Sequence, residues 1–133
     1  MPSKTYTVDE ANQSLPEVRA AVSRIVELVP VIPELQESVR IEEMKNRRAG
    51  GTEESREALA QTVASLRSTE MAVAVALERL QAMDVGLKDA RVGLVDFFGY
   101  RDGELVELCW RLGEDEVGYW HRVGEGYAGR KPI

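Results

Sequence analysis

The spacing of apolar residues in the first two thirds of the chain limits its fold more than any other feature. These residues recur three or four positions apart, which is typical of helices that pack side by side. Two stretches carry the pattern: Leu15, Val18, Val22, Ile25, Val29 and Ile32, then Leu59, Val63, Leu66, Val73, Leu77 and Leu80. Pro30 and Pro33 fall in the first stretch, so we expect a kink or break there. The short turn at Gly50-Gly51 forces the two helices antiparallel. The pattern predicts a long kinked helical hairpin over residues 1–84.

Capping sequences predict where these helices begin. Thr7-x-x-Glu10 and Ser14-x-x-Glu17 are both capping boxes, in which a hydroxyl and a carboxylate satisfy free amides at a helix start. The pair predicts a short helix from about Val8 and a fresh start near Leu15. Thr52 is a predicted N-cap for the second long helix.

The pattern changes after Met83 to the period of two that is typical of strands. Between Glu104 and Leu112 the apolar residues alternate with Glu107, Cys109 and Arg111. Asp102-Gly103 is a hairpin turn sequence. We therefore predict an α+β protein of one domain, residues 1–133. Its helical hairpin is followed by a small antiparallel β-meander of three or four strands and a glycine-rich tail, together residues 85–133.

Composition argues against several classes of partner. The net charge of −6 and the pI near 4.9 disfavour nucleic acid, because phosphate binding needs clustered cations with few competing carboxylates. No apolar run approaches the ~20 residues that cross a bilayer, which excludes a membrane partner for this chain. A single cysteine fits a reducing compartment. We expect a cytoplasmic protein.

The helices carry more apolar surface than one seam can cover. Val26, Leu28, Met71 and Val75 lie outside the two seams. Either the C-terminal segment or a second subunit has to cover them, and a homodimer that forms a four-helix bundle is the economical solution. We expect a homodimer through the helices.

The scarcest side chains of the protein crowd into residues 109–121, which hold Cys109, His121 and both tryptophans. With carboxylates from Asp96 or Glu114, His121 is a candidate ligand of a divalent metal, and Cys109 would bias such a site towards zinc or iron. The sequence lacks the repeated ligand pair that marks a reliable metal motif. The alternative is a structural imidazole that is hydrogen-bonded to Asp96 or to a turn carboxylate. The cofactor, if any, and enzymatic activity stay open.

The tail suggests a different kind of site. The guanidinium of Arg130 suits a carboxylate or phosphate, and together with Arg101 it is expected to flank a pocket for a small anion or a protein partner. The full set of candidate site residues is Asp96, Arg101, Glu116, Trp120, His121 and Arg130. The alternative is that Arg130 pairs with a turn glutamate and pins the tail.

The order of these motifs resembles a known family. The sequence begins with Tyr6-Thr7-Val8-Asp9-Glu10-Ala11-Asn12, and the later motifs are Gly93-Leu94-Val95-Asp96-Phe97, Arg101-Asp102-Gly103, Leu108-Cys109-Trp110, Gly113-Glu114, Trp120-His121 and a Gly-x-Arg-x-Pro tail. Together they resemble the uncharacterised bacterial family DUF2203 over nearly the whole chain. The resemblance implies a small cytoplasmic bacterial protein and supplies no catalytic residues.

Two functions follow as expectations. The first is a non-catalytic oligomeric binding or assembly module, whose C-terminal sheet holds a site for a small anion or a partner. The second is a metal-dependent enzyme that uses His121 and nearby carboxylates.

Overall fold

The computed structural model describes residues 2–133 and confirms the α+β class. The helices are α1 (Val8–Leu28), α2 (Val31–Arg48) and α3 (Glu53–Ala82). The strands are β1 (Val85–Asp89), β2 (Leu94–Arg101), β3 (Glu104–Arg111), β4 (Tyr119–Arg122) and β5 (Lys131–Pro132), with a short 3-10 helix at Tyr127–Gly129. Within residues 2–133, no helix is both long and apolar enough to span a membrane.

The first helix begins as predicted but does not restart. Thr7 Oγ1 accepts a hydrogen bond from Glu10 N at 3.1 Å, and the Glu10 carboxylate accepts one from Thr7 N at 2.9 Å. The predicted fresh start near Leu15 is wrong, because α1 continues through Pro16, and Ser14 Oγ donates to Ala11 O instead of capping. The buried stripe of α1 runs on across the proline, so packing outweighs the local start signal.

The hairpin has the predicted break and turn. Helix α1 ends at Leu28, and Pro30 is the N-cap of α2. Gly50 and Gly51 form the reversal with φ of 69° and 73°, a conformation that glycine adopts without steric cost. Thr52 then caps α3 by accepting from Ser55 N at 3.2 Å.

The sheet contains five antiparallel strands in the order β1-β2-β3-β4-β5. The prediction was three or four, so the structure has at least one additional strand. Asp102 and Gly103 form the predicted tight turn, with φ of 53° and 79°. The additional strand is the tail itself, in which Lys131 pairs with Trp120 and Ile133 N donates to Gly118 O at 2.9 Å. Sequence reasoning missed it because two paired residues are too few to show a period.

The core lies between the helices and one face of the sheet. Helix α1 contributes the largest share of the helical side, and Val73, Ala76 and Leu80 contribute from the C-terminal third of α3. The sheet contributes Val85, Val95, Phe97, Val106, Leu108 and Trp110. The expectation that Leu77 belongs to the seam is wrong, because this side chain is 38% exposed and Ala76 takes the inward position.

The outer part of the hairpin is an arm without a core of its own. Helix α2 has no buried residue, and none of the described residues from 53 to 72 in α3 is buried either. The two helices of the arm are joined at their tip by Ser55 Oγ, which donates to Asn46 Oδ1 at 2.7 Å. The apolar residues between the two helices of the arm are thus only partly buried, because two helices alone cannot cover them.

Candidate functional site

The face of the sheet that points away from the helices carries an unusual set of buried polar residues. Side chains alternate between the faces of a strand, and residues paired across antiparallel strands share a face. Asp96 pairs with Cys109, and Glu107 pairs with His121, so all four lie on this outer face. They are nonetheless almost fully buried, with exposures of 5% for Asp96, 0% for Cys109, 6% for Glu107 and 1% for His121. We call these four residues the outer-face cluster.

The two carboxylates approach the imidazole closely. His121 Nε2 lies 3.0 Å from Asp96 Oδ1 and 3.7 Å from Glu107 Oε2. The ligand atoms of Asp96, Cys109 and His121 all lie within 4.8 Å of one another. The middle strand, β3, thus supplies two corners of the cluster and its neighbours β2 and β4 supply one each.

The contact made by the other ring nitrogen, Nδ1, indicates where His121 carries a hydrogen. Nδ1 lies 2.9 Å from the carbonyl oxygen of Arg122, and a carbonyl only accepts, so Nδ1 carries a hydrogen and donates it. In a neutral ring, Nε2 then presents a lone pair to Asp96 Oδ1, which is also an acceptor. Two acceptors at 3.0 Å require a proton or a cation between them. Donation from Nδ1 to a backbone carbonyl is also how metal-binding histidines are held.

Burial controls the protonation of the remaining two groups. Burial raises the pKa of Glu107 to about 7, and the hydrogen bond to Asp96 and its charge act in the same direction. Lys88 and His121 oppose this shift. Burial also raises the pKa of the Cys109 thiol to about 12, so Cys109 is a thiol at neutral pH when no cation is present.

The glycine-rich tail covers the cluster. The Arg130 guanidinium lies 3.8 Å from the centre of the Tyr119 ring and 4.7 Å from that of Tyr127. Its Nη2 donates to Glu114 Oε2 at 2.6 Å, which fastens the tail to the β3–β4 loop. A cavity of about 370 Å³ leads from solvent, past Lys88 and Tyr127, to Asp96 and Glu107.

The structure brings together only part of the predicted site. Asp96, His121 and Arg130 lie on the outer face, whereas Trp120 lies on the helix-facing side with the Arg101 guanidinium 4.7 Å from the centre of its ring. Glu116 is exposed in the β3–β4 loop. The expected pocket between two arginines therefore does not form, because strand alternation puts Arg101 on the opposite face from Asp96.

Two simpler expectations are met. His121 contacts Asp96, as expected if the imidazole has a structural role. Arg130 pairs with Glu114, as expected if the arginine pins the tail to a turn glutamate. Glu114, a predicted metal candidate, is engaged by Arg130 and by the backbone amide of Arg111 at 2.8 Å.

Sequence reasoning missed Glu107. The period of two had already placed it on the same side of its strand as Cys109. The signal that would have found it is the register, which sets Glu107 directly opposite His121.

Fold and cluster together define a class: an α+β protein in which a helical hairpin covers one face of an antiparallel sheet, and the other face buries a histidine, two carboxylates and a thiol. A family model described as "Uncharacterized conserved protein (DUF2203)" matches residues 4–133. The chain belongs to this family, as its motifs indicated. No curated protein and no solved structure matched the chain.

Proposed function

We propose that the protein is a divalent-metal-binding module, and that Asp96, Glu107 and His121 hold the ion on the outer face of the sheet. The observation that carries this proposal is the close approach of His121 Nε2 and Asp96 Oδ1, 3.0 Å apart in a buried site that also holds the Glu107 carboxylate 3.7 Å from the same nitrogen. Imidazole nitrogen and carboxylate oxygen are common ligands of zinc and of other first-row divalent ions.

The geometry suits a small cation. Ligands at 2.0–2.2 Å from a tetrahedral ion stand about 3.5 Å from one another. The two distances from His121 Nε2, 3.0 Å to Asp96 and 3.7 Å to Glu107, lie on either side of that separation. Small side-chain rotations are enough to admit the ion.

The charges and the access route also support binding. Two ionised carboxylates balance a divalent ion, so binding removes the cost of burying carboxylates without a counter-charge. The cavity beside Lys88 and Tyr127 reaches both carboxylates and offers the ion a path from solvent.

The surroundings favour binding over catalysis. Arg130, which a metal-dependent enzyme would need to orient an acidic substrate, is paired with Glu114 and stacked on two tyrosine rings. The lone cysteine supports a cytoplasmic location, because no disulfide is available to it within the chain.

The test is metal content and affinity. Protein purified without an affinity tag is analysed for bound metal and then titrated with Zn²⁺ and Mn²⁺ against a chromogenic chelator. We expect about one ion per chain for the wild type. Glu107→Gln is expected to weaken binding by at least about 10-fold, the lower end of what even an outer-shell partner contributes.

The matched control is Glu104→Gln. Glu104 lies on the same strand but on the other face, exposed and 3.9 Å from Arg122. Its affinity is expected to equal that of the wild type. If the cluster holds only a proton, neither zinc nor a chelator shifts the melting temperature, and the proposal is wrong.

The arm favours a second proposal, that two copies assemble through their helices. Met71 is 71% exposed and Val75 58% exposed, and they border a groove of about 410 Å³ between α1 and α3 with Ala72 and Ala76. A second copy in this groove and along the arm completes the cover that two helices lack.

Sedimentation tests the assembly. The wild type is expected at twice the chain mass of 14.8 kDa, and Val75→Glu at the chain mass. Gln81→Glu, an exposed position on α3 outside the groove, is the control and is expected to stay dimeric. A wild type that sediments at the chain mass at every concentration contradicts the assembly proposal.

A further inference from the structure

We infer that the Cys109 thiolate is the fourth ligand of this ion, which makes the outer-face cluster a closed four-ligand site of the zinc class. The inference rests on the proposed metal binding and names the ion and the form of the site. Zinc accepts one sulfur, one nitrogen and two oxygens in a tetrahedron, whereas magnesium and manganese prefer oxygen ligands.

The strand register places all four donor side chains on the same face of three neighbouring strands. Asp96 on β2 lies directly opposite Cys109 on β3, and Glu107, two residues along β3, lies directly opposite His121 on β4. Asp96 and His121 meet diagonally above β3, in the gap between its two outer-face side chains. An ion at that meeting point has one β3 side chain on each side of it.

The distances allow Cys109 to join. Its Sγ lies within 4.8 Å of the Asp96 and His121 ligand atoms. Ligands of a tetrahedral zinc ion, at about 2.0 Å for nitrogen and 2.3 Å for sulfur, stand about 3.5 Å apart. The Cys109 Sγ would therefore have to approach the other two ligand atoms by about 1 Å, which small χ1 rotations of these side chains can provide.

The chemistry at Cys109 is a simple exchange. The ion forms the Zn–S bond while the thiol loses its proton to the buffer, because a coordinating thiol is deprotonated outright. Three anionic ligands exceed the charge of the ion by one. Lys88, which acts on Glu107 and lines the adjoining cavity, supplies the remaining positive charge.

The cluster also meets what a buried zinc site needs around its ligands. Nδ1 of His121 is held by the Arg122 carbonyl at 2.9 Å, which orients the ring. The four donors are at most 6% exposed, so the protein shields the cluster from bulk solvent except along the cavity beside Lys88 and Tyr127. Such a closed site retains its ion and stabilises the fold.

Cobalt substitution tests the inference. Metal-free wild-type protein, Cys109→Ser and Cys109→Ala are each titrated with Co²⁺ under reducing conditions, and the near-ultraviolet and visible spectra are recorded. We expect a sulfur-to-cobalt charge-transfer band and intense visible bands of tetrahedral Co²⁺ in the wild type. Both variants are expected to lack the charge-transfer band and to bind Zn²⁺ at least about 100-fold more weakly than the wild type. A loss of this size exceeds the roughly 10–100-fold that removal of a residue outside the ligand set causes.

Each result separates the two proposals. If Co²⁺ binds without the charge-transfer band and the variants keep the wild-type zinc affinity, Cys109 is not a ligand, and the three-ligand site stands alone. If the wild type binds neither ion, the metal-binding proposal itself falls, and this inference falls with it. Circular dichroism and urea midpoints of the metal-free proteins check that both variants are folded.

Discussion

Replacing Glu107 by Gln should change how the stability of the metal-free protein depends on pH. Burial and Asp96 raise the pKa of Glu107 to about 7 from an ordinary value of 4.5. A carboxyl whose folded pKa is raised binds its proton more tightly in the folded state, so its contribution to stability is complete below pH 4.5 and is lost as pH rises through about 7. Gln resembles the protonated form and does not titrate.

The size of the effect follows from proton linkage. One additional bound proton changes the free energy of unfolding by about 1.4 kcal/mol per pH unit. Between pH 4.5 and 7 the wild type should therefore lose about 3 kcal/mol relative to Glu107→Gln. The carboxyls of Glu10, Asp84, Asp89 and Glu125 have lowered pKa values and titrate below this interval.

The assay is urea unfolding of both proteins in chelator, from pH 5 to pH 8 at constant ionic strength. The two are expected to be nearly equal at pH 5, and Glu107→Gln more stable at pH 8 by up to about 3 kcal/mol. Adding Zn²⁺ at about 1,000 times the wild-type Kd should stabilise the wild type by about 4 kcal/mol and Glu107→Gln, which binds at least about 10-fold more weakly, by no more than about 3 kcal/mol, so the lead of the variant at pH 8 should shrink by at least about 1 kcal/mol. A stability difference that does not vary with pH would refute the reasoning, and Glu104→Gln controls for removal of any carboxylate from β3.

Three further predictions concern the fold around the site. Gly93→Ala should lower the free energy of unfolding in urea by at least about 2 kcal/mol, because its φ is 75° and a Cβ would lie 2.7 Å from Leu112 Cβ. Gly103→Ala is the comparison: its φ of 79° is similar but the space around it is open, so the loss should be about 1 kcal/mol. Thr7→Ala removes the cap of α1 and should lower the unfolding free energy by about 1 kcal/mol. Arg130→Gln releases the tail, so a glutamate-specific protease should cleave after Glu125 faster than in the wild type; equal rates would show that the ion pair does not hold the tail.

The sequence contains the local features of the fold in readable form. The capping box at Thr7, the break at Pro30, the turn at Gly50-Gly51 and the hairpin at Asp102-Gly103 all occur where the residues indicated. Each depends on interactions within a few positions of the chain, where side-chain chemistry and backbone preference act directly.

Other predictions failed where packing competes with local preference. Ser14 carries the second capping box, yet α1 passes through it, because a continuous buried stripe outweighs one local cap. Leu77 fits the helical period, but it is 38% exposed and the neighbouring Ala76 takes the buried position instead. The period of a helix specifies its faces without specifying which of them the rest of the chain will cover.

By itself, the sequence determined that helices precede strands, where each of them turns, and that its rarest side chains lie on neighbouring strands. Only the tertiary structure decided that Glu107 faces His121, that Arg101 lies on the opposite face of the sheet from Asp96, and that the tail adds a strand. The reason is the range of the interactions: strand register is chosen by contacts between residues far apart in the chain, and a shift of one position would exchange the two faces. The buried site exists because that choice put four donor groups on the same face.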